Sequence, residues 1–100
     1  MSELCLTLLC PPAIEEKLLD LLLMLPGTTV FTSTSTAAHG RVTGNLSQTE
    51  QVMGRAHATE VQVIFAAADK AALLDAIRRQ LAGAGLRYWV TTIVEAGEIA

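Results

Sequence analysis

Two histidines and two arginines bracket the most polar part of this chain. His39 and His57 lie at its edges, and Arg41 and Arg55 stand two residues inside them. A hairpin that closes at its base would bring all four side chains together as an anion pocket. Arginine suits planar, bidentate recognition of phosphate or carboxylate, and histidine adds a donor whose charge changes near neutral pH. The plainer alternative is four solvated loop residues with no common target. The histidines also raise the question of a divalent metal, with Cys5, Cys10 or Glu50 as further donors, but no pair among them has a recognised ligand spacing. A cysteine nucleophile would need a neighbouring base. The sequence shows no nucleophile and base pair, no paired carboxylates on one face and no catalytic glycine motif, so it does not read as an enzyme.

The four residues belong to a glycine-punctuated segment at about 37–57 that interrupts a Leu- and Val-rich sequence. It takes about a fifth of the chain, where most connections run roughly 4 to 6 residues. Ser47-Gln48-Thr49-Glu50 has capping-box spacing, in which hydroxyl and carboxylate satisfy each other's orphan backbone N–H groups. A short helix from Gln48 to Met53, ended by Gly54, is therefore expected. That leaves a mobile tip from Ala37 to Leu46, where Gly40 and Gly44 favour tight turns. Gly40, Gly44, Ser47, Glu50 and Gln51 are the candidates for meeting a partner.

One hundred residues make a single domain, near the size at which small proteins rely on oligomers, metals or disulfides for support. The apolar half of the composition holds only four aromatic residues, so the core must be built from Leu, Val, Ile and Ala. A net charge of −3 argues against nucleic acid, whose phosphates need a basic face. Cys5 and Cys10 fall on opposite faces of one strand, about 16 Å apart at about 3.3 Å per residue, too far to pair. With no signal peptide legible, a reduced cytoplasmic setting is expected. The Leu18 to Leu25 run is too short to span a bilayer and contains Asp20, so no membrane insertion is expected.

The elements that must hold the bracketed segment follow from periodicity. Leu4 to Cys10 reads as a central strand, with Leu4, Leu6 and Leu8 on one face and Cys5, Thr7 and Leu9 on the other. Pro11 and Pro12 end it and open a helix to about Leu25, stopped by Pro26 and Gly27. On that helix Ile14, Leu18, Leu21, Leu22 and Leu25 form a core stripe, while Leu19 and Leu23 form a second stripe, for deeper burial or for another subunit. Thr28 to Thr36 suits a strand with one wet face. Ala58 to Ala67 is the clearest strand in the chain. Asp69 is an expected N-cap, and the helix after it turns Leu73 or Leu74, Ile77, Leu81 and Ala84 inward before Gly83 or Gly85 ends it. Leu86 to Glu95 reads as the last strand, in which the neighbours Tyr88 and Trp89 point to opposite sides, so at most one joins the core.

The order is βαββαβ, an α+β ferredoxin-like arrangement: a four-stranded antiparallel sheet with two helices on one face. Its other face carries Cys5, Thr7, Leu9, Glu60, Gln62 and Ile64. That mixture suits a subunit interface.

This order, the long connection between the second and third strands, and the string Leu46-Ser47-Gln48-Thr49-Glu50-Gln51-Val52-Met53-Gly54-Arg55 resemble the PII-like superfamily, in particular a branch often encoded beside heavy-metal efflux pumps. The resemblance covers nearly the whole chain. It implies a homotrimer with sheets facing the threefold axis, ligand sensing in clefts between subunits, and a mobile loop that engages a partner, such as a membrane transporter or another regulatory protein. The genomic company implies a second role, as a metal-binding accessory to efflux. Two departures qualify the likeness. Nucleotide-binding PII proteins carry a longer, basic phosphate loop where this chain has Gly83-Ala84-Gly85, which argues against classical ATP binding. The loop-tip tyrosine that some PII proteins have modified is also missing, because Tyr88, the only tyrosine, lies in a strand.

Overall fold

Alternation along β1 (Glu3–Cys10) sets the architecture: Leu6, Leu8 and Cys10 are sealed from solvent on one side, and Cys5 and Leu9 are only partly covered on the other. The structure is a computed structural model that describes residues 2–39 and 55–100. After β1, a short 3-10 turn (Pro12–Ile14) leads into α1 (Glu15–Met24). Then come β2 (Thr28–His39), β3 (Arg55–Ala66), a second 3-10 turn (Ala67–Asp69), α2 (Lys70–Gln80) and β4 (Arg87–Thr92). The strands form one sheet in the order β2-β3-β1-β4, every neighbouring pair antiparallel. The expected α+β ferredoxin-like fold is the one observed.

Both helices cover the same face. Leu18 and Leu22 of α1, with Leu73 and Ile77 of α2, close over Leu6 and Leu8 of β1 and Val61, Val63 and Phe65 of β3 in one buried cluster. Burying such side chains contributes roughly 1.5 to 3 kcal/mol each before the entropy of ordering the chain is set against it. Of the second stripe expected on the first helix, Leu19 packs against the edge of this cluster, whereas Leu23 is 71% exposed. Deep burial of the whole helix is thus corrected: two helices spread over four strands each cover the sheet with one stripe.

Several boundaries also differ from the sequence reading: α2 ends at Gln80, short of the expected Gly83 or Gly85. β4 stops at Thr92 and not at Glu95, because its last partner on β1 is Leu4, opposite Thr92. β2 runs on to His39 and β3 begins at Arg55, so the ends of the segment assigned to a loop at 37–57 are strand. Residues 40–54, with the expected turn of helix at Gln48 to Met53, lie outside the described residues.

The turn after α1 shows how tightly the two halves meet. Leu25 leaves the helix in an extended conformation, Gly27 adopts φ +88°, and the Thr28 hydroxyl donates to the Leu25 carbonyl at 3.4 Å. Asp69 occupies the N-cap position of α2 as expected, yet its carboxylate makes no capping bond; it lies where a side chain on Gly27 would have to go. Gly27→Ala therefore meets both a left-handed backbone and a collision, whereas Gly83→Ala, at φ +81° with open space around it, meets only the first. The colliding atom is the end of the Asp69 side chain, which can swing aside, so denaturant unfolding should show both variants losing about 1 kcal/mol or more through the left-handed backbone; a much larger loss in Gly27→Ala would show that Asp69 is held in place.

Candidate functional site

Beyond the end of β1 the sheet thins to two strands. β1 pairs with β3 only as far as Cys10 opposite Thr59, so Thr36 to His39 and Arg55 to Ala58 continue as a two-stranded arm. At its far end His39 stands opposite position 55, and His57 stands opposite Ala37. Residues two apart on a strand share a face, which places His39 and His57 on one side of the arm, diagonal to each other. Side chains on such diagonals are about 7 to 8 Å apart. Both histidines are exposed. The register thus gathers positions 39, 55 and 57 at one end of the arm. The fourth member of the expected pocket, Arg41, lies outside the described residues, as do Gly40, Gly44, Ser47, Glu50 and Gln51.

A second polar group closes the root of the arm. Thr59, almost fully buried, donates its hydroxyl to Glu15 Oε1 at 2.8 Å, tying the first turn of α1 to β3. Cys10 lies opposite Thr59 and donates its thiol to the Pro11 carbonyl at 3.2 Å. Burial first, and the Glu15 carboxylate second, push the Cys10 thiol up to about 11. A thiol held protonated at neutral pH is a poor nucleophile and a poor metal ligand. Neither role suits Cys10.

Cys5 faces the other side of β1, between Ile64 and Thr91, and both cysteines are free thiols. Among the described residues no group of three or more His, Cys, Asp or Glu could hold a metal ion. His39 and His57 share the arm, but Cys5 lies on the sheet face away from Cys10, so the four weak metal candidates do not converge.

The helix-free face of the sheet is the broadest candidate surface. Across it run the rows Val30, Ile64, Cys5, Thr91 and Thr32, Gln62, Thr7, Trp89, followed by Thr34, Glu60, Leu9, Arg87. Val30 is 49% exposed and Trp89 42%. Tyr88 points the opposite way, where its hydroxyl accepts a bond from Arg78 at 3.0 Å. Neither aromatic is buried, which keeps within the expectation that at most one would join the core. The bonds Glu15–Thr59 and Arg78–Tyr88 have no signal in the sequence, since each joins residues on different elements.

Along residues 1–100 the chain matches a family model described as "Protein of unknown function (DUF3240)". No curated protein matches it. A crystal structure of a DUF3240 family protein from Shewanella baltica OS155 is similar throughout, with TM-score 0.82 and 22% identity over 100% of this chain and 99% of that one. The structure of GlnK from B. subtilis superposes with TM-score 0.60 and 13% identity, covering 94% of this chain and 87% of that one. A Bacillus cereus protein related to NIF3 matches with TM-score 0.72 and 14% identity, covering 97% of this chain but 27% of the larger one. The shared fold is PII-like.

The Cys10 environment gives a direct test. In the folded protein an alkylating reagent at mildly alkaline pH should leave Cys10 unmodified, and denaturation should expose it. Because the folded-state value lies above that of an unfolded thiol, Cys10 adds stability that is complete below about pH 9 and lost as pH rises toward about 11. Cys10→Ala should remove that part of the alkaline loss. Rapid labelling of folded Cys10 would overturn this account.

Proposed function

The chain belongs to the DUF3240 family and has a PII-like fold, and from that premise we propose that it is a trimeric regulatory protein. It senses a small ligand in clefts between subunits and engages a partner through the segment from residue 37 to 55. The observation that carries the reading is the uncovered sheet face, where Trp89 and Val30 stay about half-exposed beside Ile64, Cys5 and Leu9. Apolar surface of this kind is costly in water and gains by association. Val94 and Ile99, wholly exposed beyond β4, add surface that a neighbouring subunit would cover.

The arm suits the second half of the proposal. It carries His39 and His57 clear of the four-stranded sheet, with position 55 beside them, where residues of an adjacent subunit can approach. A planar anion is the ligand chemistry that arginine and histidine together favour. The proposal includes no catalytic step. Among the described residues no helix is long and apolar enough to cross a membrane, and a membrane transporter would enter only as the partner.

Light scattering at micromolar concentration should give three times the chain mass, and Trp89→Glu, placed on the uncovered face, should shift it toward the monomer without unfolding. A strict monomer would remove the intersubunit cleft and end the proposal. A thermal-shift screen of nucleotides, carboxylates, bicarbonate and divalent metals then tests the ligand, since whatever binds only the folded form raises its stability. An anion whose effect disappears in Arg41→Ala or Arg55→Ala supports the arm. A stoichiometric metal lost with His39 and His57 would replace it with the accessory role in efflux.

A further inference from the structure

A cleft of about 380 Å³ opens on the helix side of the sheet, between the end of α2 and β4. Leu74, Ile77, Leu81 and Leu86 form its walls and Leu8 its floor. At its mouth Arg78 Nη2 donates to the Tyr88 hydroxyl at 3.0 Å, and both side chains are exposed. Its lining is drawn from the end of α2, the connection after it, β1 and β4. It is separate from the arm and from the uncovered sheet face.

The polar pair at the mouth is set up to donate. A guanidinium has five N–H donors, of which the bond to Tyr88 uses one, and the Tyr88 hydroxyl that accepts this bond keeps its own proton to give. A carboxylate placed there would receive charge-assisted bonds from the arginine and a further bond from the phenol. The sign of the site follows from its surroundings. Arg78 and Arg79 occupy the last turn of α2, while the C-terminal end of the helix brings partial negative charge. A single negative charge is offset by Arg78, and a dianionic phosphate would face the helix end with one arginine in contact.

The loop above the cleft carries two glycines of its lining. Gly83 and Gly85 adopt φ +81° and +77°, and a side chain placed on either would meet nothing within 4 Å. The volume is at the small end for ligand sites, which suits a short aliphatic or single-ring body and not a nucleotide. Apolar walls with one cationic donor pair at the rim define an amphipathic monoanion.

We infer that this cleft binds a small apolar carboxylic acid, its hydrocarbon body against Leu74, Ile77, Leu81 and Leu86 and its carboxylate on Arg78 and Tyr88. Titration of the full chain with octanoate, followed by amide and methyl NMR shifts, should give saturable changes at Leu74, Ile77, Gly83 and Gly85. Arg78→Gln should weaken octanoate roughly tenfold or more, and Tyr88→Phe should weaken it less. Both substitutions replace exposed side chains, and the spectra of the unliganded variants report whether the fold is kept. Octanol should bind no better to the wild type than to Arg78→Gln. Any of three results would overturn the inference: no saturation by octanoate at millimolar concentration, equal affinity in Arg78→Gln, or shifts mapping to Val30, Ile64 and Trp89 on the other face. None of them depends on whether the chain is a trimer.

Discussion

The antiparallel pairing of β1 with β3 is the constraint on which the rest of the structure depends. It runs from Glu3 opposite Ala66 to Cys10 opposite Thr59, and β2 and β4 are attached only at its two outer edges. Because side chains alternate, the register that sends Leu6, Leu8, Val61 and Val63 under the helices must send Cys5, Thr7, Gln62 and Ile64 the other way. A slip by one residue would exchange the two sets. It would put Gln62 and Glu60 beneath Leu18 and Leu22 without partners, a cost of several kcal/mol that holds the register in place.

The same pairing decides where the sheet ends. β1 stops at Cys10 because Pro11 follows, with no N–H to offer the ladder. Beyond that point β3 has β2 alone beside it, and the pair continues as an arm. The Glu15–Thr59 bond lies at this junction and anchors the first turn of α1 where the sheet narrows. Burying the Thr59 hydroxyl without it would leave a polar group unsatisfied, yet among the described residues no buried side-chain nitrogen or oxygen lacks a partner. The arm is therefore rooted in a satisfied, closed group, and the chemistry it carries is displayed further out, at His39 and His57.

Legibility followed burial. Where one face of an element meets the core, as in Leu4 to Cys10 or Val61 to Phe65, a short run dense in apolar residues lets the strand be read from the sequence. Ala37, Ala38 and His39 lie beyond the four-stranded core, so nothing selects alternation there, and their composition reads as loop although the register pairs them with residues 57 to 55. Helix coverage was overestimated for a related reason. Leucines at Leu19 and Leu23 continue an apolar pattern, but whether a stripe is buried depends on how far the sheet extends beneath it, which periodicity does not encode. The site candidates were legible as residue types and as neighbours in sequence. The cleft beside Tyr88 was not, because its lining comes from β1, α2, the connection at 81–86 and β4, brought together only by the crossover that places β4 beside β1.

That crossover gives β4 two duties. Tyr88 and Trp89 are consecutive, so one faces the helix-side cleft and the other the uncovered sheet face, on a strand that among the described residues pairs with β1 alone. An edge strand held on one side is the part of a sheet with the fewest constraints on its position. Adjacency alone carries no coupling between the two faces; coupling requires that β4 have two arrangements and that an acid in the cleft and a neighbour on Trp89 prefer them unequally. Where that condition holds, linkage makes the effect reciprocal: whatever the acid does to assembly, assembly does to the affinity for the acid. An apolar acid in the cleft and a subunit on the sheet would then regulate each other through a single strand, without a residue in common.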